Sequence, residues 1–331
     1  MTKVLIIRFS SIGDVVLTTP VVRNLKNQLH GGAEIHYLTK TRFRTLVDSN
    51  PHISKVYSIE KSTNEVIDAL KEEAYDYVVD LHKNLRSARV KRALRALDFS
   101  FEKLNWEKWL LVNFGIDRLP RIHIVDRYMD AVKAFGIEND EKGLDYFMGE
   151  SDVLQSTDLP ESHRNGFIAV GIGAAHWRKK LRTHQYVELC EQLNYPVALI
   201  GGPAERNEGE EIAEKLGEKV WNTAGSFRLG QTASLLKLSA LVITPDTGIM
   251  HIAAALKKPI ISIWGATIPE FGMYPYQNKS LNTMVQATHL KKRPCSKLGT
   301  KCKYKPCKCI DELPLDELVD AASLQIGLSA R

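Results

Sequence analysis

A chain of 331 residues, 44% hydrophobic and 25% charged, has the length of roughly two globular domains and the composition of an ordinary folded protein. No stretch approaches the roughly 18 to 20 uninterrupted apolar residues of a spanning helix, and the N-terminal run Val4 to Ile7 stops at Arg8, so neither a membrane span nor a signal peptide is expected and the cytoplasm is the expected location. The formal charge of +6 favours anionic partners such as phosphates, acidic lipids or nucleic acid.

Short β-rich runs alternate with amphipathic helical patterns, the sequence form of a parallel sheet with crossover helices. In chain order the spacing predicts strand Lys3 to Phe9, helix Val15 to Leu29, strand Glu34 to Thr39, helix Arg42 to Ser49, strand Lys55 to Ile59, helix Asn64 to Lys71 and strand Tyr77 to Leu81. Between Glu138 and Asn165 the pattern dissolves into polar residues with Gly, Ser, Asp and Pro, the composition of a linker. A second set follows: strand Phe167 to Gly171, helix Thr183 to Leu193, strand Val197 to Gly201, helices Glu205 to Leu216 and Gln231 to Leu238, strand Leu241 to Thr244, helix Ile249 to Leu256, strand Pro259 to Trp264 and a closing helix Leu313 to Leu324. The expectation is α/β, two Rossmann-like domains over residues 1–160 and 161–331, facing a cleft with a site at the carboxyl ends of each sheet.

Two strand-to-helix turns carry the chemistry. Arg8-Phe9-Ser10-Ser11-Ile12-Gly13-Asp14 follows the first strand, where the unpaired N–H groups of a helix start suit an anion. Asp14 there is either a helix cap or a functional carboxylate. Thr244-Pro245-Asp246-Thr247-Gly248-Ile249-Met250-His251 occupies the same address in the second half. Backbone N–H groups of Thr247 and Gly248 are placed to cradle a diphosphate, with His251 one turn in. The first turn lacks the full Gly-rich dinucleotide fingerprint, which disfavours a nicotinamide cofactor. A basic loop, Gly173 to Lys180, offers Lys179 or Lys180 to neutralise charge on a departing phosphate. Gly201-Gly202-Pro203-Ala204-Glu205 offers a carboxylate for a ribose diol.

Taken together and in this order, Ser10 to Asp14, the loop ending in Lys179 and Lys180, Gly201-Gly202-Pro203 with Glu205, Pro245 to Gly248 with His251, and Trp264-Gly265 resemble the glycosyltransferase family that contains the lipopolysaccharide heptosyltransferases. The resemblance spans nearly the whole chain. It implies a GT-B type fold and an inverting transfer that uses no metal and no cofactor. The donor would be a nucleotide-diphosphate sugar, ADP-heptose by family expectation, and the acceptor a glycolipid of the lipopolysaccharide or lipid A core. The family's general base would fall on Asp14, its donor-diphosphate contacts on Asp246, Thr247, Gly248 and His251, its phosphate-neutralising lysine on Lys179 or Lys180, and its ribose acid on Glu205. Ala174 and Ala175 stand where the family tends to carry hydroxyl residues.

Acceptor contacts are expected from Ser10, Ser11 and Gly13 and from a basic helix that carries Arg86, Arg89, Lys91, Arg92 and Arg95. That helix suits phosphates of a lipid core or the inner face of the inner membrane, as peripheral contact. It suits a solvated helix face as well. No aromatic residues interleave its charges, so nucleic acid is not expected as a partner. Cys295, Cys302, Cys307 and Cys309 cluster in a basic segment without the paired spacing of common zinc sites, and a reducing compartment favours free thiols or a metal over disulfides among them; the cluster reads either as structural or incidental cysteines or as a metal site. Other readings are a nucleotide-sugar epimerase of the same fold and a non-enzymatic binder of anionic lipid or nucleic acid.

Overall fold

The computed structural model describes residues 1–276 and 281–329, and the chain divides into two compact units, Met1–Lys103 with Ile122–Phe147, and Leu104–Arg121 with Met148–Arg331. The first unit is a parallel sheet of β1 (Thr2–Ile7), β2 (Ala33–Lys40), β3 (Lys55–Ile59), β4 (Tyr77–Asp80) and β5 (Leu97–Ser100), in the order β3-β2-β1-β4-β5. Val4, Leu5, Ile6 and Ile7 are all fully buried, as a strand covered by helices on both faces requires. α1 (Ile12–Val16), α2 (Thr19–Gln28), α3 (Ile67–Glu72) and α4 (Leu85–Leu94) supply the crossovers. Leu5, Ile7 and Phe9 pack with Leu38, Ile59, Leu70, Val78 and Val90 to form one core.

The single helix expected over Val15 to Leu29 is two helices. Pro20 at the start of α2 has no N–H to donate, and its ring disfavours a continuous helix through that turn. The hydroxyls of Thr18 and Thr19 donate to the carbonyls of Val15 and Val16 at 2.7 and 2.8 Å, so the break leaves these acceptors satisfied. The helix expected over Arg42 to Ser49 is a 3-10 turn, Thr41–Leu46.

α5 (Asn105–Phe114) packs in the second unit, although it lies in the first half of the chain, where Leu111 and Leu119 meet Ile268 and Phe271. α6 (Ile124–Asp130) belongs to the first unit. The segment that follows α6 is fastened by Arg23 of α2, whose guanidinium donates to both oxygens of Asp140 at 2.7 and 2.8 Å and also pairs with Asp145. This bidentate cation holds the Asp140 carboxyl down at about 2.

The second unit repeats the plan with β6 (Ile168–Gly171), α7 (Thr183–Gln192), β7 (Val197–Ile200), α8 (Arg206–Leu216), β8 (Val220–Asn222), α9 (Leu229–Leu238), β9 (Leu241–Pro245), α10 (Gly248–Ala255), β10 (Ile260–Trp264), β11 (Asn282–Gln286), α11 (Lys308–Asp311) and the closing helix α12 (Leu315–Ser329). Its strands are parallel in the order β11-β10-β9-β6-β7-β8. Leu318 and Ala322 of α12 enter the core with Ile168, Val170, Leu199 and Ile243. Strand order reverses between β1 and β4 in one sheet and between β6 and β9 in the other, and a doubly wound sheet binds ligands in the crevice at such a reversal.

One glycine shows how tightly the second crevice is built. A Cβ on Gly265, just after β10, would lie 2.4 Å from Ile310 Cδ1 and 2.5 Å from the Arg178 carbonyl oxygen. Gly265→Ala is therefore expected to destabilise the chain by ~1–3 kcal/mol, the cost of overpacking against backbone. Urea unfolding checks this, and an unchanged midpoint would contradict it.

Candidate active site

At the first reversal, Arg8 leaves the end of β1 and turns inward. Its guanidinium donates to the Ser10 carbonyl at 2.8 Å, to the Tyr128 hydroxyl at 2.9 Å and to the Leu81 carbonyl just beyond β4, and it pairs with Asp14 Oδ1 at 2.6 Å. Arg8 thus spans the two strand ends that flank the crevice. The other Asp14 oxygen accepts the N–H and the hydroxyl of Ser11 at 3.0 and 2.8 Å, so Asp14 caps the first turn of α1 and is ion-paired at once. Burial pushes the Asp14 carboxyl up, but Arg8 and Ser11 outweigh it and hold the group below its ordinary value. Gly13 is buried, whereas Ser10 is half-buried and Ser11 exposed.

His82 packs edge-on against Phe9 with ring centroids 5.2 Å apart. Burial, then Arg8 and Lys103, push its imidazole down to about 4, so it is neutral at pH 7. An unfolded histidine titrates near ~6.5, so between that value and about 4 the unfolded chain binds the extra proton and stability falls as pH falls. His82→Gln is expected to lose less stability than the parent between pH 7 and pH 4.5, read as urea midpoints. Parallel pH profiles for the two proteins would refute the assignment.

At the second reversal, the loop after β6 carries Lys179 across to the end of β9, where its ammonium donates to Asp246 Oδ2 at 2.7 Å and to the Asp246 carbonyl at 3.1 Å. The Thr267 hydroxyl donates to the same carboxylate oxygen at 3.0 Å. Lys180 does something else: it pairs with Glu208 on α8, which also accepts the Thr183 hydroxyl. The two lysines that the sequence leaves equivalent are thus separated, and only Lys179 is bonded at the reversal.

α10 starts at Gly248 beside this pair. Its N-cap residue Thr247 makes no side-chain capping bond, and its hydroxyl instead lies 3.4 Å from that of Thr244. The first N–H groups of α10 have no partner within the helix, an arrangement suited to an anion. His251, expected to point at that anion, is buried at 2% exposure one turn into α10. Glu205 sits after β7 with Oε2 accepting the Gly202 N–H at 2.9 Å, and a Cβ on Gly173 would lie 3.2 Å from that oxygen. The loops after β6 and β7 therefore approach each other at Glu205.

Arg86 and Arg89 are exposed on α4 and line a shallow pocket of about 220 Å³ with Lys61, Ser62, Thr63 and Leu85. Burial first, then Arg86 and Arg42, push the nearby Lys40 ammonium below its ordinary value. Of the other basic residues of that helix, Lys91 is paired with Asp98 and Asp80. Sequence reasoning missed Tyr128 and Thr267, which carry no local motif, and gave Arg8 no role. The one signal for Arg8 was a cation directly after the apolar run Val4 to Ile7.

Among the described residues no helix is long and apolar enough to cross a membrane. Residues 64–305 match the family Glycosyltransferase family 9 (heptosyltransferase). The lipopolysaccharide heptosyltransferase 1 of Campylobacter coli is 24% identical over 293 residues, covering 80% of this chain and 84% of that protein. In structure, the glycosyl transferase family 9 protein from Veillonella parvula aligns at a TM-score of 0.77 and 22% identity over 98% of this chain and 97% of that one. The Escherichia coli heptosyltransferase solved with ADP-2-deoxy-2-fluoro heptose aligns at 0.66 and 21% over 89% and 96%. The chain belongs to glycosyltransferase family 9, the heptosyltransferase family, and is a glycosyltransferase built of two parallel-sheet α/β domains of the GT-B type.

Proposed function

We propose that the enzyme moves heptose from ADP-heptose to a lipopolysaccharide or lipid A core acceptor by direct, metal-independent displacement that inverts the anomeric carbon. The observation that carries this reading is the uncapped start of α10 beside the Lys179–Asp246 pair at the β6/β9 reversal. The leaving nucleoside diphosphate gains charge as the glycosidic bond breaks, and preorganised donors aimed at that charge are the largest catalytic contribution such a site can make. Lys179 and the N–H groups of Thr247 and Gly248 are the donors, with His251 behind them. Asp246 is itself anionic and repels a diphosphate, so its part is to hold Lys179 and Thr267 in place. Glu205 takes the ribose diol, and Lys180 braces the loop through Glu208. A relative solved with an ADP-heptose analogue supports the choice of donor.

On the acceptor side Asp14 is the general base, with Ser10, Ser11 and Gly13 shaping the turn that presents it. A single base suffices for a single displacement, and inversion follows from attack opposite the leaving group. Arg86 and Arg89 receive acceptor phosphates, and α4 with Arg92 and Arg95 gives peripheral contact with an anionic membrane. Co-sedimentation with anionic vesicles, lost at high salt, is the expected behaviour; no binding at low salt would remove the membrane contact.

The donor reading is tested by thermal-shift titration of the parent and Asp246→Ala with ADP, UDP, GDP and ADP-heptose. A ligand that binds only the folded chain stabilises it by ~2.7 kcal/mol at a hundredfold excess over its Kd. A shift confined to the adenosine ligands and weakened in the variant is expected. No shift with any nucleotide would count against the donor seat.

A further inference from the structure

Residues 287–307, between β11 and α11, form neither helix nor strand. Irregular segments this long are uncommon in compact domains and need something to hold them. What this one buries is sulfur: Cys295, Cys307 and Cys309 form a core with Ala266, and Cys302, Leu290 and Tyr304 pack against it partly buried. Three of the thiols converge on a point. Cys295 Sγ lies 3.2 Å from Cys309 Sγ and 3.8 Å from Cys302 Sγ, and the latter two are 3.9 Å apart. Cys307 is buried in the same cluster. None of the four cysteines is in a disulfide.

Buried cysteines often act only as small apolar side chains, but these distances have a tighter meaning. Four sulfurs ~2.3 Å from a central tetrahedral ion lie about 3.8 Å from one another, the separation found for two of the three measured pairs. Lys297, Lys301, Lys303, Lys305 and Lys308 on the same segment offset the net negative charge of a divalent ion bound by four thiolates.

We propose that Cys295, Cys302, Cys307 and Cys309 bind one tetrahedral, thiolate-held metal ion, zinc, which staples the 287–307 segment to the second unit. The site is structural, since four thiolates leave no coordination position for substrate. Its influence on the reaction would be mechanical. Arg293 donates to the carbonyls of Trp264, Gly265 and Thr267 at 2.8 to 3.0 Å, the Cys295 N–H donates to the Ala266 carbonyl at 2.9 Å, and a Cβ on Gly299 would lie 2.8 Å from Lys179 Cγ. The segment therefore backs both Thr267 and the stem of Lys179.

The test is the metal content of the full chain, made without a histidine tag and purified without chelators, by plasma mass spectrometry, alongside X-ray absorption at the zinc edge. One zinc per chain with a sulfur shell at ~2.3 Å is expected, released by mercurial modification of the thiols and accompanied by a fall in melting temperature. Cys302→Ser, altering the most accessible of the four, should lose most of the zinc, whereas Cys190→Ser on α7, outside the cluster, should keep it. An equivalent of iron in the same sulfur shell would keep the thiolate site and overturn the choice of ion. Only traces of metal, as isolated and after dialysis against zinc and desalting, would overturn the proposal, as would an intact mass showing a disulfide in the freshly isolated protein. These readouts do not depend on the donor or acceptor, so they stand or fall apart from the proposed transfer.

Discussion

Asp14→Asn is expected to lower kcat for sugar transfer by about 10³, within the ~10²–10⁴ that a positioned general base contributes, while the Kd for donor stays within about twofold because the donor seat is in the other unit. That loss corresponds to ~4 kcal/mol of barrier at 1.36 kcal/mol per factor of ten. The amide oxygen still accepts from Ser11 and Arg8 keeps its bonds to Ser10, Leu81 and Tyr128, but Arg8 loses its counterion, so the variant is also expected to be less stable by ~3–5 kcal/mol and its rate is compared at a temperature where urea unfolding shows it folded. Arg8 and Ser11 hold the parent carboxyl below its ordinary value against the opposing effect of burial, so the carboxylate is ionised throughout the neutral range. With the folded value depressed, the stabilisation from Asp14 is complete above the ordinary carboxylate pKa and is lost as pH falls through the folded one. The acid limb of the rate profile should accordingly lie below the usual carboxylate range and be absent from the residual rate of the variant. A variant with full activity would reduce Asp14 to a helix cap, and one with equal losses in kcat and donor affinity would make it a structural residue.

Lys179→Met has the second large effect, and on two quantities. Removing a donor aimed at the leaving diphosphate should lower kcat/KM by ~10²–10³. It also leaves Asp246, itself only 9% exposed, with the Thr267 hydroxyl but without its cation, and stranding one partner of a buried pair costs ~3–5 kcal/mol. The pair here retains some solvent, with side-chain exposures of 17% and 11%, so the lower end is expected. The double variant Lys179→Met with Asp246→Asn separates the two. It should recover much of the stability, read by urea unfolding, and none of the activity. Lys180→Met, which breaks the pair with Glu208, should change kcat/KM far less. Equal activity losses in the two lysine variants would contradict the separation of their roles.

Much of this was legible in the sequence because the strands are buried on both faces. Runs such as Val4 to Ile7 and Leu241 to Thr244 have few alternatives to a central parallel strand, and they fix the two strand-end turns that carry Asp14 and Asp246. What was not legible depended on tertiary contacts. The break before Pro20 was hidden by an apolar pattern that continues through it. α5 carries no sign of the unit it packs in, because that is decided by Ile268 and Phe271 far along the chain. Lys179 and Lys180 are adjacent and chemically alike, and only the 3-10 turn Trp177–Lys179 directs one to Asp246 and the other to Glu208. The cysteine spacing matched no common zinc pattern, yet an irregular loop brings sulfurs together without regard to sequence intervals.

The proposed transfer is tested by the reaction itself, with ADP-heptose and a lipid A core acceptor lacking heptose, no metal added, followed by mass spectrometry and by NMR of the new anomeric centre. An acceptor that gains one heptose with inverted anomeric configuration, ADP released in equal amount, and almost no product from Asp14→Asn are expected. Transfer with retained configuration, or consumption of ADP-heptose by hydrolysis or epimerisation with no product on the acceptor, would contradict the proposed transfer.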